Sequence, residues 1–185
     1  YDPERKINTL IKKNSYVPKK IEKRIISDFN KASFPVCPIV PNIDVVHNRI
    51  TLEILRGCNR GCRFCQAGMV YRPAREKKVA TLQTLAEESL KNTGYEEISL
   101  SSLSSSDYSE IKELMTKLTD KYKDQGVGVS LPSLRIDSFS VQLAEQSQRV
   151  RKTGLTFAPE VGTDRMSRVV NKNVARDDLF QTVRA

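Results

Sequence analysis

The sequence predicts an α/β fold, a partial (βα) barrel of about four units in which parallel strands alternate with helices. Short strand-like segments alternate with segments whose apolar residues recur every three or four positions. Glycines that end three of the helical segments are 32 and 28 residues apart, close to the ~30 residues of a βαβ unit. Each unusual loop also follows a predicted strand, where a parallel sheet places its functional residues. These loops span residues 56–80, 101–107, 132–138 and 159–164.

Composition disfavours several classes of protein. The chain has 185 residues, about one domain, with a net charge of +9 and 38% hydrophobic residues, enough for a core. No run approaches the ~18 apolar residues of a membrane-spanning helix, and the N-terminus lacks the layout of a secretory signal. We therefore expect a cytoplasmic protein rather than a membrane protein, a secreted disulfide scaffold or a disordered tail. Tyr1 at the first position leads us to expect an excised piece of a longer chain.

Residues 1–48 are predicted to form a lead-in or interdomain segment before a core of residues 49–185. The first 24 residues carry eight Lys or Arg against three acids, a net charge of +5. This charge indicates either a solvated, partly mobile face or a contact with nucleic acid. Three prolines follow, which favour extended or turn-like backbone: Pro35, Pro38 and Pro41.

The first unit of the core begins with a strand over residues 50–55, where apolar and polar side chains alternate until Gly57. A cysteine-containing loop follows. The next helix is predicted to begin at Thr81 and to end at Gly94. Its buried face has helical spacing: Leu82, Leu85, Ala86 and Leu90.

The second unit has a strand over 98–100, a serine-rich loop, and a helix that Asp107 caps with Glu110 in a capping-box position. This helix ends at Gly126, and its predicted buried stripe is Ile111, Leu114, Met115, Leu118 and Tyr122.

The third unit has a strand over 127–131 and a helix that ends at Gly154. A fourth strand over 155–158 precedes one or two short helices. Four units are too few to close a barrel, so we expect the sheet to continue beyond Ala185. The predicted stripe of the third helix is Val141, Leu143, Ala144, Ser147 and Val150.

Three cysteines, Cys58, Cys62 and Cys65, lie within eight residues directly after the first strand. Three thiolates can hold three irons of a 4Fe–4S cluster and leave the fourth iron open, whereas structural zinc usually takes four ligands. Of the remaining candidates, His47 is predicted to be a surface or hydrogen-bonding residue. Cys37 is predicted to be a small buried thiol; a second-site ligand and a fourth cluster ligand in an idle state are the alternatives.

The cysteine loop, with Phe64 before its last cysteine, resembles the radical S-adenosylmethionine superfamily. The likeness covers roughly residues 35–175 and extends to one subfamily whose full-length members carry a cobalamin-binding domain before the radical domain. The similar segments are Pro38-Ile-Val-Pro41, His47-Asn-Arg49, Arg56-Gly-Cys-Asn-Arg-Gly-Cys-Arg-Phe-Cys-Gln-Ala-Gly-Met69, Tyr71-Arg-Pro73, Ser99-Leu-Ser-Ser-Leu-Ser-Ser-Ser-Asp-Tyr108, Leu131-Pro-Ser-Leu-Arg135 and Thr156-Phe-Ala-Pro-Glu-Val-Gly162.

The resemblance implies a 4Fe–4S cluster on Cys58, Cys62 and Cys65, with the amine and carboxylate of S-adenosylmethionine on the fourth iron. Reductive cleavage would release a 5′-deoxyadenosyl radical that abstracts hydrogen from a substrate, which the sequence does not identify. Cobalamin is implied for the full-length protein. A non-catalytic iron–sulfur or zinc module that binds nucleic acid or a protein partner is the competing hypothesis.

The resemblance also implies residues that bind S-adenosylmethionine. The family usually binds the amine through a Gly-Gly-Glu-like segment, which is replaced here by residues 101–107. Hydroxyls and a carboxylate in this segment can accept from an ammonium group, although Asp107 also fits a helix cap. The candidates are Ser102, Ser104 and Asp107 for the amine, Arg135 for the carboxylate (or a surface arginine), Glu160 for the ribose (or a structural ion pair) and Phe64 for the adenine (or a core aromatic).

Residues 56–78 carry seven basic residues and one acid, a net charge of +6. Positive charge here would tune an anionic cluster or dock an acidic reductant of the flavodoxin or ferredoxin type. Contact with an RNA backbone ranks below these functions, because the chain has no Trp and only 6% aromatic residues for base stacking.

Overall fold

A three-stranded parallel sheet forms the centre of the fold in the computed structural model. Numbered along the chain, its strands are β1 (Ile50–Glu53), β4 (Glu97–Ser101) and β5 (Gly128–Ser130), with β4 in the middle. The parallel pairing of strands from consecutive units confirms the α/β class that the alternating pattern predicts. The structure describes residues 1–6, 8, 14–18, 20–138, 141–151 and 154–184.

Three helices pack on this sheet and on one another: α2 (Val79–Thr93), α3 (Ile111–Tyr122) and α4 (Val141–Gln148). Burial of apolar side chains between the strands and these helices is the main source of stability. The centre of the shared core comprises Leu52, Leu82, Ala86, Ile98, Leu100, Leu114, Met115, Leu118 and Leu143.

One face of the sheet is polar, because successive strand residues point to opposite faces. Thr51, Ser99 and Ser130 pair across the three strands and therefore share this face. Two cavities lie on it. The upper cavity, about 340 Å³, includes Ser101 and reaches the start of the cysteine loop, and the lower one, about 400 Å³, includes Ser99 and Ser130. The polar face therefore lies open beside the cysteine loop.

Helix α2 begins two residues before Thr81, so the predicted start is wrong. Lys78 is the N-cap residue, but its side chain makes no capping hydrogen bond. Instead, the side-chain oxygen of Asn30 accepts hydrogen bonds from the Lys78 N–H at 2.7 Å and the Thr81 hydroxyl at 3.2 Å. The predicted end is confirmed, since Gly94 has a left-handed φ of +70° and its N–H donates to Leu90.

Helix α3 has the predicted buried stripe, but its predicted capping box is wrong. The helix begins at Ile111, and Asp107 lies before it in a separate 3₁₀ turn. Glu110 makes no side-chain capping bond. The carboxylate of Glu76 accepts from the Ser109 N–H at 3.0 Å, so a distant side chain again satisfies the backbone near the helix start.

The third predicted helix is shorter in the structure, because α4 ends at Gln148 rather than near Gly154. Its predicted stripe has two buried members (Leu143 and Ser147), one residue beyond the helix end (Val150) and two side chains outside the described set (Val141 and Ala144).

The predicted fourth strand, residues 155–158, is represented by one parallel bridge between Leu134 and Phe157. The described residues place three strands in the main sheet, so the four-unit barrel stays a prediction. Two short helices follow as predicted, α5 (Asp164–Val169) and α6 (Arg176–Arg184). Among the helices described, none is both long and apolar enough to cross a lipid bilayer.

The end of the lead-in segment packs against the core. A 3₁₀ turn at Phe29–Lys31 places Phe29 in the interior, where it is 2% exposed. Phe34 also packs against the core cluster, and the Asn92 side chain donates to the Val36 carbonyl at 3.1 Å. The boundary between a lead-in of 1–48 and a core of 49–185 stays a prediction.

Candidate metal and cofactor site

A small second sheet closes the base of the cysteine loop. β2 (Leu55–Arg56) follows β1 directly and pairs antiparallel with β3 (Arg75–Glu76). The single strand predicted over residues 50–55 is therefore divided between two sheets, and a strand of two residues gives no measurable periodicity from which this division could be predicted. The loop therefore leaves and rejoins the core at one point beside the carboxyl end of β1.

Gly57 allows this sharp exit from the strand. It has a φ of +90°, and a Cβ atom at this position would lie 2.4 Å from the Tyr71 carbonyl oxygen and 2.7 Å from that of Pro73. A side chain would therefore collide with the returning backbone. Gly61 has a φ of +74°, so both glycines of the loop have the left-handed backbone that favours glycine.

The three cysteines of the loop carry free, partly exposed thiols. Cys65 caps the short helix α1 (Gln66–Val70), because its Sγ accepts a hydrogen bond from the Gly68 N–H at 3.3 Å. Cys62 lies beside a cation, with Arg135 Nη1 at 3.8 Å from its Sγ. Two of the three sulfurs thus have defined polar neighbours.

The chemistry of this donor set fits an iron–sulfur cluster. Thiolates are the ligands that such clusters take, and the loop offers three of them on one short stretch of backbone. Cys58 lines a cavity of about 270 Å³ that Ser104 and Asp107 also line, so there is space beside its sulfur. Within the described ranges, no three or more side chains of His, Cys, Asp or Glu are arranged as a metal site. The fit therefore rests on the donor type and spacing.

Two residues outside the loop have different outcomes. Cys37 is exposed, so the prediction of a small buried thiol is wrong. The reason is its position in a surface segment, where the neighbouring Ile39 is also exposed. His47 is exposed, and its Nδ1 lies 2.9 Å from Arg49 Nη2, which confirms the prediction of a surface or hydrogen-bonding residue.

The serine-rich loop after β4 is folded by its own hydroxyls. The Ser102 hydroxyl lies 3.0 Å from that of Ser105 and accepts from the Ser104 N–H at 3.0 Å. The Ser104 hydroxyl donates to Asp107 Oδ2 at 2.7 Å, and Arg60 donates to both oxygens of the same carboxylate. The structure thus brings Ser104 and Asp107 together, and their contact with an amine stays a prediction, as does that of Ser102.

Arg135 is 8% exposed, so the alternative of a surface arginine is wrong. Its guanidinium donates to both carboxylate oxygens of Asp137, at 2.9 and 3.0 Å, and to the Lys172 carbonyl at 2.7 Å. Burial lowers the pKa of Arg135, but these bonds to Asp137 and its negative charge outweigh burial, and the pKa is raised. A permanent cation therefore lies next to Cys62, and its contact with a methionyl carboxylate stays a prediction.

Glu160 has a hydrogen-bonding partner in the protein, whereas the ring of Phe64 is exposed. Glu160 accepts a hydrogen bond from Lys172 Nζ at 2.8 Å, so the ion pair weighed as its structural alternative is present. Phe64 is 54% exposed, so the alternative of a core aromatic is wrong. Ribose binding by Glu160 and adenine packing by Phe64 stay predictions.

Three residues that the structure places at the site are not among those predicted from the sequence: Arg60, Asp137 and Glu53. Arg60, counted only among the basic residues, donates to Asp137 at 3.1 Å from within the cysteine loop. Glu53 accepts two hydrogen bonds from Arg56, at 2.7 and 2.6 Å, at the entrance to the upper cavity. The available signal was position, because Asp137 and Glu53 both lie at or after the carboxyl end of a strand.

Comparison with known proteins agrees with this geometry. The chain is 36% identical over 132 residues to an uncharacterized protein, MJ0966, of Methanocaldococcus jannaschii. The alignment covers 71% of this chain and 28% of that relative, so the chain spans less than a third of the relative's length. The family model of the Radical SAM superfamily matches residues 52–185, which include the end of β1, the cysteine loop, β4 and β5. This match covers more than half of the chain, which therefore belongs to the radical SAM superfamily.

Proposed function

We propose that this chain is the cluster-binding part of a radical S-adenosylmethionine enzyme, with Cys58, Cys62 and Cys65 as the cluster ligands. Superfamily membership implies a 4Fe–4S cluster and cleavage of S-adenosylmethionine at the general level. When bound, the cluster would supply the electron that breaks a C–S bond of S-adenosylmethionine, which gives methionine and a 5′-deoxyadenosyl radical that takes hydrogen from a substrate. The observation that carries the proposal is the position of three free thiols directly after the first strand of a parallel sheet.

Two guanidinium groups lie beside the cysteines, and each is held by a carboxylate. Hydrogen bonds to Asp107 raise the pKa of Arg60, and the charges of Asp107 and Asp137 raise it further. Arg135 pairs with Asp137 and directs an N–H donor toward the Sγ of Cys62, at 3.8 Å. Hydrogen bonds to the sulfurs are among the factors that set the potential of an iron–sulfur cluster. A fixed donor beside Cys62 supports cluster binding by this loop.

The loops at the carboxyl edge of the sheet supply the proposed groups for S-adenosylmethionine. The exposed ring of Phe64 is open to stacking on adenine. The fork of Arg135 already holds Asp137, so a methionyl carboxylate would bind at its Nη1, which faces Cys62. Glu160 is proposed for the ribose hydroxyls. For the methionyl amine we propose Asp107 with Ser102 and Ser104, in which case the ammonium group shares the carboxylate with Arg60.

The upper cavity on the polar sheet face is the proposed reaction space. It is lined by Thr51 and Ser101 from the strands and by Gly57 and Tyr71 from the cysteine loop, with a volume of about 340 Å³. Leu55 and Leu103 also line this cavity, so it places both apolar side chains and hydroxyl groups beside the cysteine loop.

The partners belong to the same proposal. The basic residues around the cysteine loop favour docking of an acidic reductant of the flavodoxin or ferredoxin type over RNA, since the chain has only 6% aromatic residues. Cobalamin chemistry is proposed for the longer protein, on the subfamily resemblance. Free thiols favour a reducing compartment, and hence the cytoplasm.

Anaerobic reconstitution of the full chain tests the cluster. We expect about four irons per chain, an absorption spectrum that changes on addition of S-adenosylmethionine, and 5′-deoxyadenosine after reduction with dithionite. Cys62→Ala should lose the iron. Cys37→Ala is the matched control, because it removes an exposed thiol outside the loop and should retain the iron.

Two results would contradict the proposal. One is a stable zinc site in place of iron. The other is an iron cluster whose spectrum is indifferent to S-adenosylmethionine. Either result would favour the competing hypothesis, a non-catalytic iron–sulfur or zinc module. The superfamily match disfavours that hypothesis.

A further inference from the structure

Arg60 joins the cysteine loop to both of the loops that follow the next two strands. Its Nε donates to Asp107 Oδ2 at 2.7 Å, and its Nη2 donates to Oδ1 of the same carboxylate. Its Nη1 donates to Asp137 Oδ2 at 3.1 Å. Asp107 follows β4 and Asp137 follows β5. One side chain therefore connects three segments that are 47 and 77 residues apart along the chain.

These contacts continue through Arg135 and return to the cysteine loop. Asp137 accepts from Arg135 as well as from Arg60. Arg135 Nη1 then lies 3.8 Å from the Sγ of Cys62, two residues after Arg60. The contacts from Arg60 through Asp137 and Arg135 to Cys62 close a ring with the backbone of residues 60–62, and Asp107 joins it at Arg60. We call the four charged side chains, Arg60, Asp107, Asp137 and Arg135, the arginine–aspartate ring.

The ring is neutral and partly shielded from water. It contains two guanidinium and two carboxylate groups, and its side chains are between 9% and 37% exposed. Ion pairs on a fully exposed surface contribute little because salt and water screen them. Networks of forked guanidinium–carboxylate contacts at partial burial hold geometry better. The ring is therefore suited to fix a backbone segment.

The opposite side of the cysteine loop has separate anchors. The Arg63 N–H donates to the Val170 carbonyl at 2.9 Å, and the Asn171 side chain donates to the Gly61 carbonyl at 2.9 Å. Both anchors come from the turn after α5. These anchors hold the backbone at Gly61 and Arg63. The arginine–aspartate ring instead includes the side chain of Arg60 and contacts the sulfur of Cys62.

We infer that Arg60 is a positioning residue whose guanidinium, held by Asp107 and Asp137, fixes the backbone between Cys58 and Cys62 at the carboxyl edge of the sheet. The spacing of the first two thiols is thereby set before any metal binds. The inference rests on the proposed function only for the identity of the metal centre. An arginine is required because its planar fork contacts two carboxylates at once, which the single ammonium of lysine does not do.

Hydrogen–deuterium exchange on the metal-free full chain tests the positioning role directly. The most informative loop amide is that of Cys65, because its N–H donates to the Cys62 carbonyl at 3.1 Å, at the end of the segment that Arg60 fixes. In Arg60→Ala we expect about tenfold faster exchange at this amide, a smaller increase at the Arg63 N–H, which its separate bond to Val170 also holds, and no change in α2 or α3. Arg60→Lys should restore part of the protection, and Asp137→Asn should have a smaller effect than Arg60→Ala.

The matched control is Arg165→Ala, which removes the same charge from an exposed position on α5. Its exchange should equal that of the parent protein. Unchanged loop exchange in Arg60→Ala would overturn the positioning role. Faster exchange throughout α2 and α3 would overturn it too, because Arg60 would then support the whole domain and not the loop.

Iron release separates this inference from the proposed function. After anaerobic reconstitution, we expect Arg60→Ala to bind iron but to lose it to a ferrous chelator about tenfold faster than the parent or Arg165→Ala. If the parent binds no iron while the loop exchange still responds to Arg60→Ala, the proposed function fails and the positioning role stands. If the parent binds iron and Arg60→Ala releases it at the parental rate, the positioning role fails.

Discussion

The ammonium group of Lys77 lies 3.5 Å from the centre of the Phe29 ring, and the guanidinium of Arg56 lies 4.8 Å from the same centre. Phe29 comes from the lead-in segment, whereas the two cations flank the cysteine loop. Phe29 and Lys77 are both buried, so these cation–π contacts are partly removed from water and are stronger than exposed ones. The lead-in segment thus supports the base of the cysteine loop through one aromatic ring.

Replacement of Phe29 should destabilise the whole domain. Phe29→Ala removes a buried ring and both cation–π contacts, and we expect the free energy of unfolding in urea to fall by about 3 kcal/mol. Phe180→Ala is the matched control, because Phe180 is 44% exposed on α6, and should cost less than about 1 kcal/mol. Equal losses in the two variants would show that the lead-in segment is not part of the core.

Lys77 should make stability depend on pH in the alkaline range. Burial lowers the pKa of Lys77; Glu53 opposes this and Arg56 adds to it. The unfolded chain, with the ordinary pKa of 10.5, then binds the proton more tightly than the folded chain does. The free energy of unfolding must therefore rise with pH between the lowered pKa and the ordinary one.

Urea unfolding at several pH values between 7 and 10 checks this dependence. Relative to Lys77→Met, the parent should gain stability as the pH rises through the lowered pKa. Lys78→Met, at the exposed neighbouring position, should follow the parent. Parallel pH profiles for the parent and Lys77→Met would contradict the assignment.

Gly57→Ala should distort the cysteine loop. The new Cβ would meet two backbone carbonyls at a φ of +90°, and we expect a loss of about 3 kcal/mol in the free energy of unfolding together with poor iron retention. Gly94→Ala shares the left-handed backbone but has open space around it, and should cost only about 1 kcal/mol. A similar cost for both variants would mean that backbone conformation alone, and not the close approach, determines the effect.

Asn30→Ala should weaken the start of α2. It removes the acceptor for the Lys78 N–H and for the Thr81 hydroxyl, and the loss of a helix cap costs about 1 kcal/mol. Thr81→Val leaves the backbone contact with Asn30 intact and should cost about 0.5 kcal/mol. Thermal or urea unfolding measures both. A larger loss of stability in Thr81→Val than in Asn30→Ala would contradict this assignment and would favour Thr81 as the residue that begins the helix.

The spacing of apolar residues and glycines predicts those parts of the fold that depend on neighbouring residues in the sequence. The stripe from Ile111 to Tyr122 is buried as its spacing predicts, and α2 ends where Gly94 permits a left-handed residue. The starts of α2 and α3 could not be predicted, because their backbone groups are satisfied by Asn30 and Glu76 from other segments. Strands of two residues and the five-residue α1 carry too few side chains to show a period.

The candidate site divides along the same line. The three cysteines and the loops that follow strands could be predicted from spacing alone, because the residues that indicate a metal site and the end of a strand are close together in the sequence. The contact of Arg60 with Asp107 and Asp137 depends on folding across 47 and 77 residues, and charge counting gives no partner. The prediction that Cys37 is buried is wrong, because this residue lies on an extended surface segment and its thiol does not pack against the core.

The anchors from Val170 and Asn171 reach the cysteine loop across more than 100 residues of chain. During synthesis the thiols leave the ribosome before these anchors exist, and a nascent chain that stops before the turn after α5 lacks both of them. Insertion of the proposed cluster is therefore expected only after this turn has been translated. The order in which the polypeptide emerges thus sets an earliest time for metal binding.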